Sequence, residues 1–295
     1  MKQDLLKGSM ILLLSVLCAI ACKKTAELPT NPAPSGNNQK DTALAVTPVV
    51  PYPITPTPEC EYAPNYGDSI VYPEPTTSGD YYVYPQNNLG ISGTYLSWPE
   101  GLVLDSKSGA IDLTQSETGA RYSVAFVKSG TTDTCMSQLI VAGAAYMDSV
   151  YVLSQSDSTS KPYFNADPNA PPVCVGNQGQ GCKFDYNNFA HNQGIEVDQK
   201  TGFIDLQKTM QNHAFGLIPL NGATLLTTIY YQLNDNSNFA NQKIQLKMMY
   251  YNRKSDIPSG TLVTVADNIF NTLNYLLLSK GPKPRPPLII IVRQN

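Results

Sequence analysis

Few side chains in this sequence are equipped for bond-making chemistry. Its 295 residues include only two histidines, His191 and His213. Neither has a nucleophile and a carboxylate at a recognisable triad spacing. No Gly-x-Ser-x-Gly elbow, His-Glu-x-x-His pair, P-loop or dinucleotide-binding glycine pattern occurs. The six cysteines contain no Cys-x-x-Cys, and neither histidine stands near a cysteine pair at finger spacing, so a metal site is not expected. Asp105, Asp112, Asp198 and Asp205 invite a calcium reading. Calcium needs about six to eight oxygens, and without an EF-hand-like loop these aspartates are expected to cap turns instead. The densest aromatic region is Asp80-Tyr-Tyr-Val-Tyr84 with Tyr95 and the single tryptophan, Trp98. Trp98, Tyr95 and Tyr82 are candidate glycan-binding residues, although such rings also fill the faces of β-sheets. Paired carboxylates for glycoside hydrolysis leave no sequence signature. The residues point away from an enzyme and call for no cofactor.

Composition narrows the class further. Apolar residues make up 42% and charged residues 15%, with 20 basic against 23 acidic side chains. That is enough apolar material for one or two cores, and it lacks the long apolar runs of a multi-pass membrane protein. The charge balance also lacks the basic face that a nucleic-acid binder requires.

The N-terminus carries an export pattern. Lys2 and Lys7 are followed by the apolar run Met10–Ile20, about half the roughly 20 residues that a spanning helix needs. Residues 1–21 therefore read as a signal peptide. The segment ends in Ala19-Ile20-Ala21-Cys22, which resembles the lipobox of bacterial lipoproteins. The resemblance implies that Cys22 is acylated on sulfur, becomes the first residue after cleavage, and is N-acylated. Membrane lipid is then a partner through the acylated Cys22, and two or three chains suffice for stable anchoring. Ordinary cleavage after Ala21, leaving Cys22 a thiol, is the alternative. Residues 22–58 are rich in Pro, Thr, Ala and Asn and form the lipidated tether of this reading. As polyproline-like chain at roughly 3.1 Å per residue, they reach on the order of 100 Å.

Removing Cys18 and Cys22 leaves Cys60, Cys135, Cys174 and Cys182. An even count in an exported chain suggests two disulfides, with three connectivities open. The favoured pairs are Cys174–Cys182, closing the Gly-rich Val175–Gly181, and Cys60–Cys135, clamping the first domain. Free thiols remain an alternative.

The elements that position these residues fall into two blocks. Over 59–144, short strand-like runs alternate with turns: Ser69–Tyr72, Asp80–Tyr84, Gly101–Asp105, Ala110–Leu113, Ala120–Lys128 and Met136–Ala142. In Ala120–Lys128, Tyr122, Val124 and Phe126 share one face. Such strands at such spacing predict a β-sandwich. Gly101–Leu113 matches Gly194–Leu206 without gaps, each copy reading strand, tight turn, strand. This pattern, Gly-Leu-x-Leu-Asp-x-x-Ser/Thr-Gly-x-Ile, resembles the hairpin of bacterial cadherin-like and immunoglobulin-like modules. It implies a β-sandwich, usually extracellular, and no chemistry.

Over 145–295 the pattern departs from that family. Leu225–Leu233 and Lys243–Tyr251 alternate as long strands, and Leu288–Val292 reads as a buried final strand. Residues 261–279 carry a helical stripe, with Ser259 as expected N-cap and Gly281-Pro282 as expected stop. The fold class is therefore mainly β: an N-terminal Ig-like β-sandwich, then an α+β domain with an antiparallel sheet and one C-terminal helix. The whole arrangement resembles cell-surface lipoproteins of Bacteroidota, which implies a lipid-anchored place in the cell envelope, at the outer membrane. A non-catalytic role in adhesion or ligand display follows, the ligand being a glycan or surface protein. The alternative is a glycan-binding accessory lipoprotein of an uptake system, or, further off, a carbohydrate-active enzyme.

Overall fold

The computed structural model describes residues 60–87, 90–155, 158–170, 173–174, 181–267 and 286–294. The expected signal peptide, Cys22, the tether, most of the Gly-rich loop and the helix stop at Gly281-Pro282 lie outside these residues. The described residues belong to one compact unit, and the protein is mainly β, as expected.

The first core lies between two sheets. One has the order β1-β7-β6-β3, from Ile70–Val71, Thr134–Val141, Ala120–Lys128 and Gly93–Trp98. The other has the order β2-β5-β4, from Tyr82–Val83, Ile111–Asp112 and Val103–Leu104. Tyr122, Val124 and Phe126 of β6 turn inward together and meet Leu104 and Ile111 from the second sheet and Leu113 just after it. The period-two pattern of β6 thus becomes the sandwich core. Strand β3 was not foreseen, because Gly93 and Pro99 frame a run too short and polar to stand out.

The second core contains two further sheets. β9 (Ser149–Val152), β12 (Lys183–Phe184), β15 (Ala223–Gln232), β16 (Gln242–Arg253) and β17 (Leu288–Gln294) form one, in the order β12-β15-β16-β17-β9. The other has the order β10-β14-β13, from Thr159–Ser160, Ile204–Asp205 and Glu196–Val197. A two-stranded pair, β8 (Ala144–Tyr146) with β11 (Pro162–Phe164), completes it. The inward faces of β15 and β16 are the expected ones: Ile229, Tyr231, Ile244, Leu246 and Met248 are all fully buried.

The expected antiparallel sheet is corrected to a mixed one. β12, β15 and β16 are antiparallel, but β17 runs parallel to both β16 and β9. The cause is the helix-bearing connection between β16 and β17. A crossover of this length returns the chain in the same direction, whereas a hairpin would reverse it. The helix occupies 259–267 of the described residues. Pro258 accepts the first helical bond, from the Leu262 amide, so Ser259 is the first helical residue and not the cap. Leu262 and Val265 pack with Leu288, Ile290 and Val292 on one side of β17, while Ile289 and Ile291 enter the main core on the other. Both faces of β17 are covered, which is why Leu288–Val292 is continuously apolar.

The repeat read in the sequence extends well beyond its hairpin. Asp105 Oδ1 accepts from the Lys107 and Ser108 amides and the Ser108 hydroxyl at 3.0, 2.7 and 2.8 Å. Asp198 Oδ1 accepts from Lys200, Thr201 and the Thr201 hydroxyl at 3.0, 2.8 and 2.8 Å. Each turn closes on a left-handed glycine, Gly109 at φ 73° and Gly202 at φ 74°, where a side chain would be strained. A buried tyrosine from a distant segment then donates to that glycine's carbonyl, Tyr66 to Gly109 at 2.7 Å and Tyr146 to Gly202 at 2.6 Å. The next strand hangs from the same kind of bond in both copies, Leu113 N to Tyr81 O and Leu206 N to Ser158 O, each 2.8 Å. The strand orders correspond as well: β2-β5-β4 matches β10-β14-β13, and β3, β6 and β7 match β12, β15 and β16. The second half is thus a copy of the first sandwich with a helix and β17 added. In the first copy β1 pairs directly with β7. In the second, β17 stands between their counterparts β9 and β16.

Removing either tyrosine hydroxyl leaves a buried glycine carbonyl without its donor. Tyr66→Phe and Tyr146→Phe are each expected to lower stability by about 1–2 kcal/mol. Urea unfolding of the two variants measures this, and a negligible loss in either would deny that copy its tyrosine brace.

Candidate binding site

The three candidate glycan-binding aromatics do not form an exposed platform. Trp98 is 4% exposed and Tyr95 8%. The Tyr95 ring lies 4.9 Å from Phe126 inside the first core. Tyr82 is half-buried on β2 and hydrogen-bonds the Asp112 side chain. Pairing of β3 with the central strand β6 turns Tyr95 into the core, so the reading of these rings as a stacking surface is corrected. The cysteines pair as favoured: Cys60–Cys135 with Cα atoms 5.2 Å apart, and Cys174–Cys182 with Cα atoms 5.3 Å apart.

The four repeat aspartates serve the backbone. Asp105 and Asp198 hold the turns described above. Asp112 Oδ1 accepts from the Thr114 and Gln115 amides, both at 2.9 Å. Asp205 caps the short helix α1 (Leu206–Gln211), accepting from Lys208 N at 2.9 Å. No group of three metal-ligating side chains occurs among the described residues. His191 and His213 are both exposed, the first opening a short 3-10 helix, His191–Gln193, and the second in a turn.

Two surface features of the second copy were not read from the sequence. The first is the loop after β12. Residue spacing between the copies grows from 89 at Tyr95 and Phe184 to 93 at Leu102 and Ile195, so this loop is four residues longer than its counterpart. It presents Tyr186 and Phe189, 39% and 41% exposed, with exposed Asn187, Asn188 and Asn192 around them. The Phe189 ring meets Tyr230 edge-on at 5.8 Å. Asp185, buried beneath, accepts from the Ala190 and His191 amides, each at 2.9 Å, and fixes the loop from below. The arrangement combines aromatic faces with amide donors and acceptors. Its sequence signal was Asp-Tyr-Asn-Asn-Phe at 185–189, an aromatic-amide cluster outside the region where aromatics are densest.

The second feature is a cleft of about 480 Å³ bordered by Leu153, Met210, Leu217, Tyr250 and Arg293, among others. It opens where the parallel strands β9, β16 and β17 reach their carboxyl ends. Strands that run in parallel end together on one side, and their differing exits leave a crevice there. Among the described residues, no carboxylate lines this cleft. A smaller neighbouring recess shares Arg293 and Gln294 with it and adds Arg253 and Asp256. The loop at its rim, Gly216-Leu-Ile-Pro-Leu220, is apolar and exposed. Its signal in the sequence was three aliphatic residues around a proline and just after a glycine, too kinked to be a strand.

No family model matches the chain, and no curated protein sequence does. Among solved structures, the crystal structure of Drosophila N-cadherin EC1-4 is similar over 64% of this chain at 8% identity, with a TM-score of 0.20. The chain covers half of that fragment's length.

One carboxylate pair has a pH consequence. Burial, followed by its contact with Asp80, pushes the Asp112 carboxyl above the usual range, against the pull of the Gln115 amide. A raised folded-state value makes the group's contribution to stability complete at acid pH, and it is lost as pH rises through that value. Asp80→Asn removes the opposing charge and is expected to stabilise the protein at neutral pH, with the gain shrinking in acid. Urea midpoints at acid and neutral pH test this, and equal midpoints at neutral pH would count against the pair.

Proposed function

We propose that the chain is a non-catalytic lipoprotein of the cell envelope, anchored at the outer membrane through acylated Cys22, whose paired β-sandwiches serve adhesion or ligand display. The observation that carries this reading is the duplication. One sandwich frame is built twice in series, each copy with a disulfide of its own, behind residues that read as an export leader, a lipobox-like cysteine and a Pro-rich spacer. Serial β-modules of this kind present a binding surface at a membrane without any chemistry of their own. Feeding cells a labelled fatty acid is expected to label the wild-type chain and not Cys22→Ala, and to place only the former with membranes. An unlabelled wild type would remove the anchor from the reading.

A second reading, a glycan-binding accessory lipoprotein, is favoured by the Tyr186–Phe189 loop. Its rings offer stacking faces and its asparagines offer hydrogen bonds to hydroxyls, on a backbone that Asp185 holds fixed. On a glycan array, the chain from Lys23 is expected to bind a carbohydrate and the Tyr186→Ala/Phe189→Ala variant to lose it while remaining folded. A blank array for the wild type would end this reading.

A further inference from the structure

Leu217, Ile218 and Leu220 are 80%, 84% and 73% exposed. Three neighbouring aliphatic side chains held this far into water are unfavourable and ask for an occupant. The loop that carries them is anchored at both ends. On one side Gly216 N donates to His213 O at 2.7 Å, and the Phe215 ring lies 6.0 Å from Tyr250. On the other, Asn221 donates to Asp256 Oδ2 at 3.1 Å and accepts from the Asn252 amide at 2.6 Å. The tip is therefore fixed to the ends of the core strands while its side chains project.

The charges beside the tip have one sign to spare. Arg293 lines the cleft together with Leu217, and Arg253 lies in the adjoining recess. Both are exposed, and neither makes an ion pair among the described residues. Lys254 follows Arg253 and is exposed as well. Asp256, the carboxylate in that recess, already accepts from the Arg253 amide at 3.1 Å and from Asn221.

We propose that the Leu217–Leu220 tip and its flanking arginines form a docking surface for an anionic lipid bilayer. The aliphatic side chains enter the boundary between head groups and acyl chains, while Arg253 and Arg293 hold lipid phosphates. A projecting aliphatic tip with guanidinium groups to one side of it matches a bilayer in both layers, apolar below and anionic above. The anchoring reading above supplies the nearby membrane, and the 37 residues from Lys23 to Glu59 supply the reach. Docking would then lay the second sandwich against the membrane that holds the chain.

Flotation of the chain from Lys23 with vesicles tests this independently of acylation, because that chain lacks Cys22 and contains the whole compact unit. With vesicles of equal phosphatidylcholine and phosphatidylglycerol at low salt, the chain is expected to float, and with phosphatidylcholine alone to remain below. Leu217→Ser/Ile218→Ser/Leu220→Ser should weaken partitioning by about tenfold or more. Arg253→Gln/Arg293→Gln should abolish most of the salt dependence. An environment-sensitive dye on Ile218→Cys should shift to the blue on the anionic vesicles. A chain that stays below with anionic vesicles, a triple variant that floats like wild type, or a dye that does not shift would each overturn the proposal. Failure of the anchoring reading would appear elsewhere, as an unlabelled Cys22.

Discussion

A tight turn closed by an aspartate and a left-handed glycine, and braced by a buried tyrosine hydroxyl, is the constraint on which both sandwiches rest. A turn of this sort satisfies its own amides through the carboxylate, so it can sit against a core without orphaned donors. The glycine carbonyl that would otherwise be buried unpaired receives Tyr66 in one copy and Tyr146 in the other. Tyr95 and Phe184 pack beside the two glycines, at contacts that a Cβ would not fit. One local motif thus sets strand spacing, ring placement and the start of the next strand. Asp105 and Asp198, both held below the usual carboxylate range, keep the turns charged and bonded. For Asp105 the Ser108 amide is the leading cause, and for Asp198 the Thr201 bonds overcome a burial effect of opposite sign.

The two copies are joined through the Tyr231 hydroxyl, which bonds Thr118 of the first sandwich and accepts from the Ala144 amide at 2.9 Å. Phe184 stacks on the same ring at 5.3 Å. The junction is short and buried, and Gly143 lies within it with no room for a side chain against Tyr231 and Thr118. A bond of this kind ties the second core to the end of the first. It also means that Tyr231, an alternating strand residue by pattern, holds a polar contact as well as an apolar one.

The added helix and β17 give the second copy its distinct chemistry. Inserting a parallel strand between β9 and β16 gathers three strand ends on one side of the sheet, with Arg253 and Arg293 in the last residues of β16 and β17. In the first copy β1 meets β7 directly, with no strand inserted between them. Both surface features that set the copies apart, the Tyr186–Phe189 loop and the Leu217–Leu220 tip, lie in segments that the second copy lengthened or remodelled. The duplicated frame supplies rigidity, and the departures from it supply the surfaces.

Much of the frame was legible in the residues alone. Period-two alternation placed β6, β15 and β16 with their buried faces, because a strand that hides one side must alternate. The matched hairpins were legible because Asp, Ser or Thr, and Gly each have a specific task at fixed offsets in the turn. The even cysteine count limited the disulfides to three pairings. What the tertiary structure decided depends on contacts distant in the chain. Trp98 and Tyr95 became interior residues only because β3 pairs with β6, a partnership no local pattern announces. The parallel course of β17 depends on the connection after β16 crossing over instead of turning back as a hairpin. Whether an aliphatic run such as Leu217–Leu220 is core or surface is settled by what folds over it, and here nothing among the described residues does.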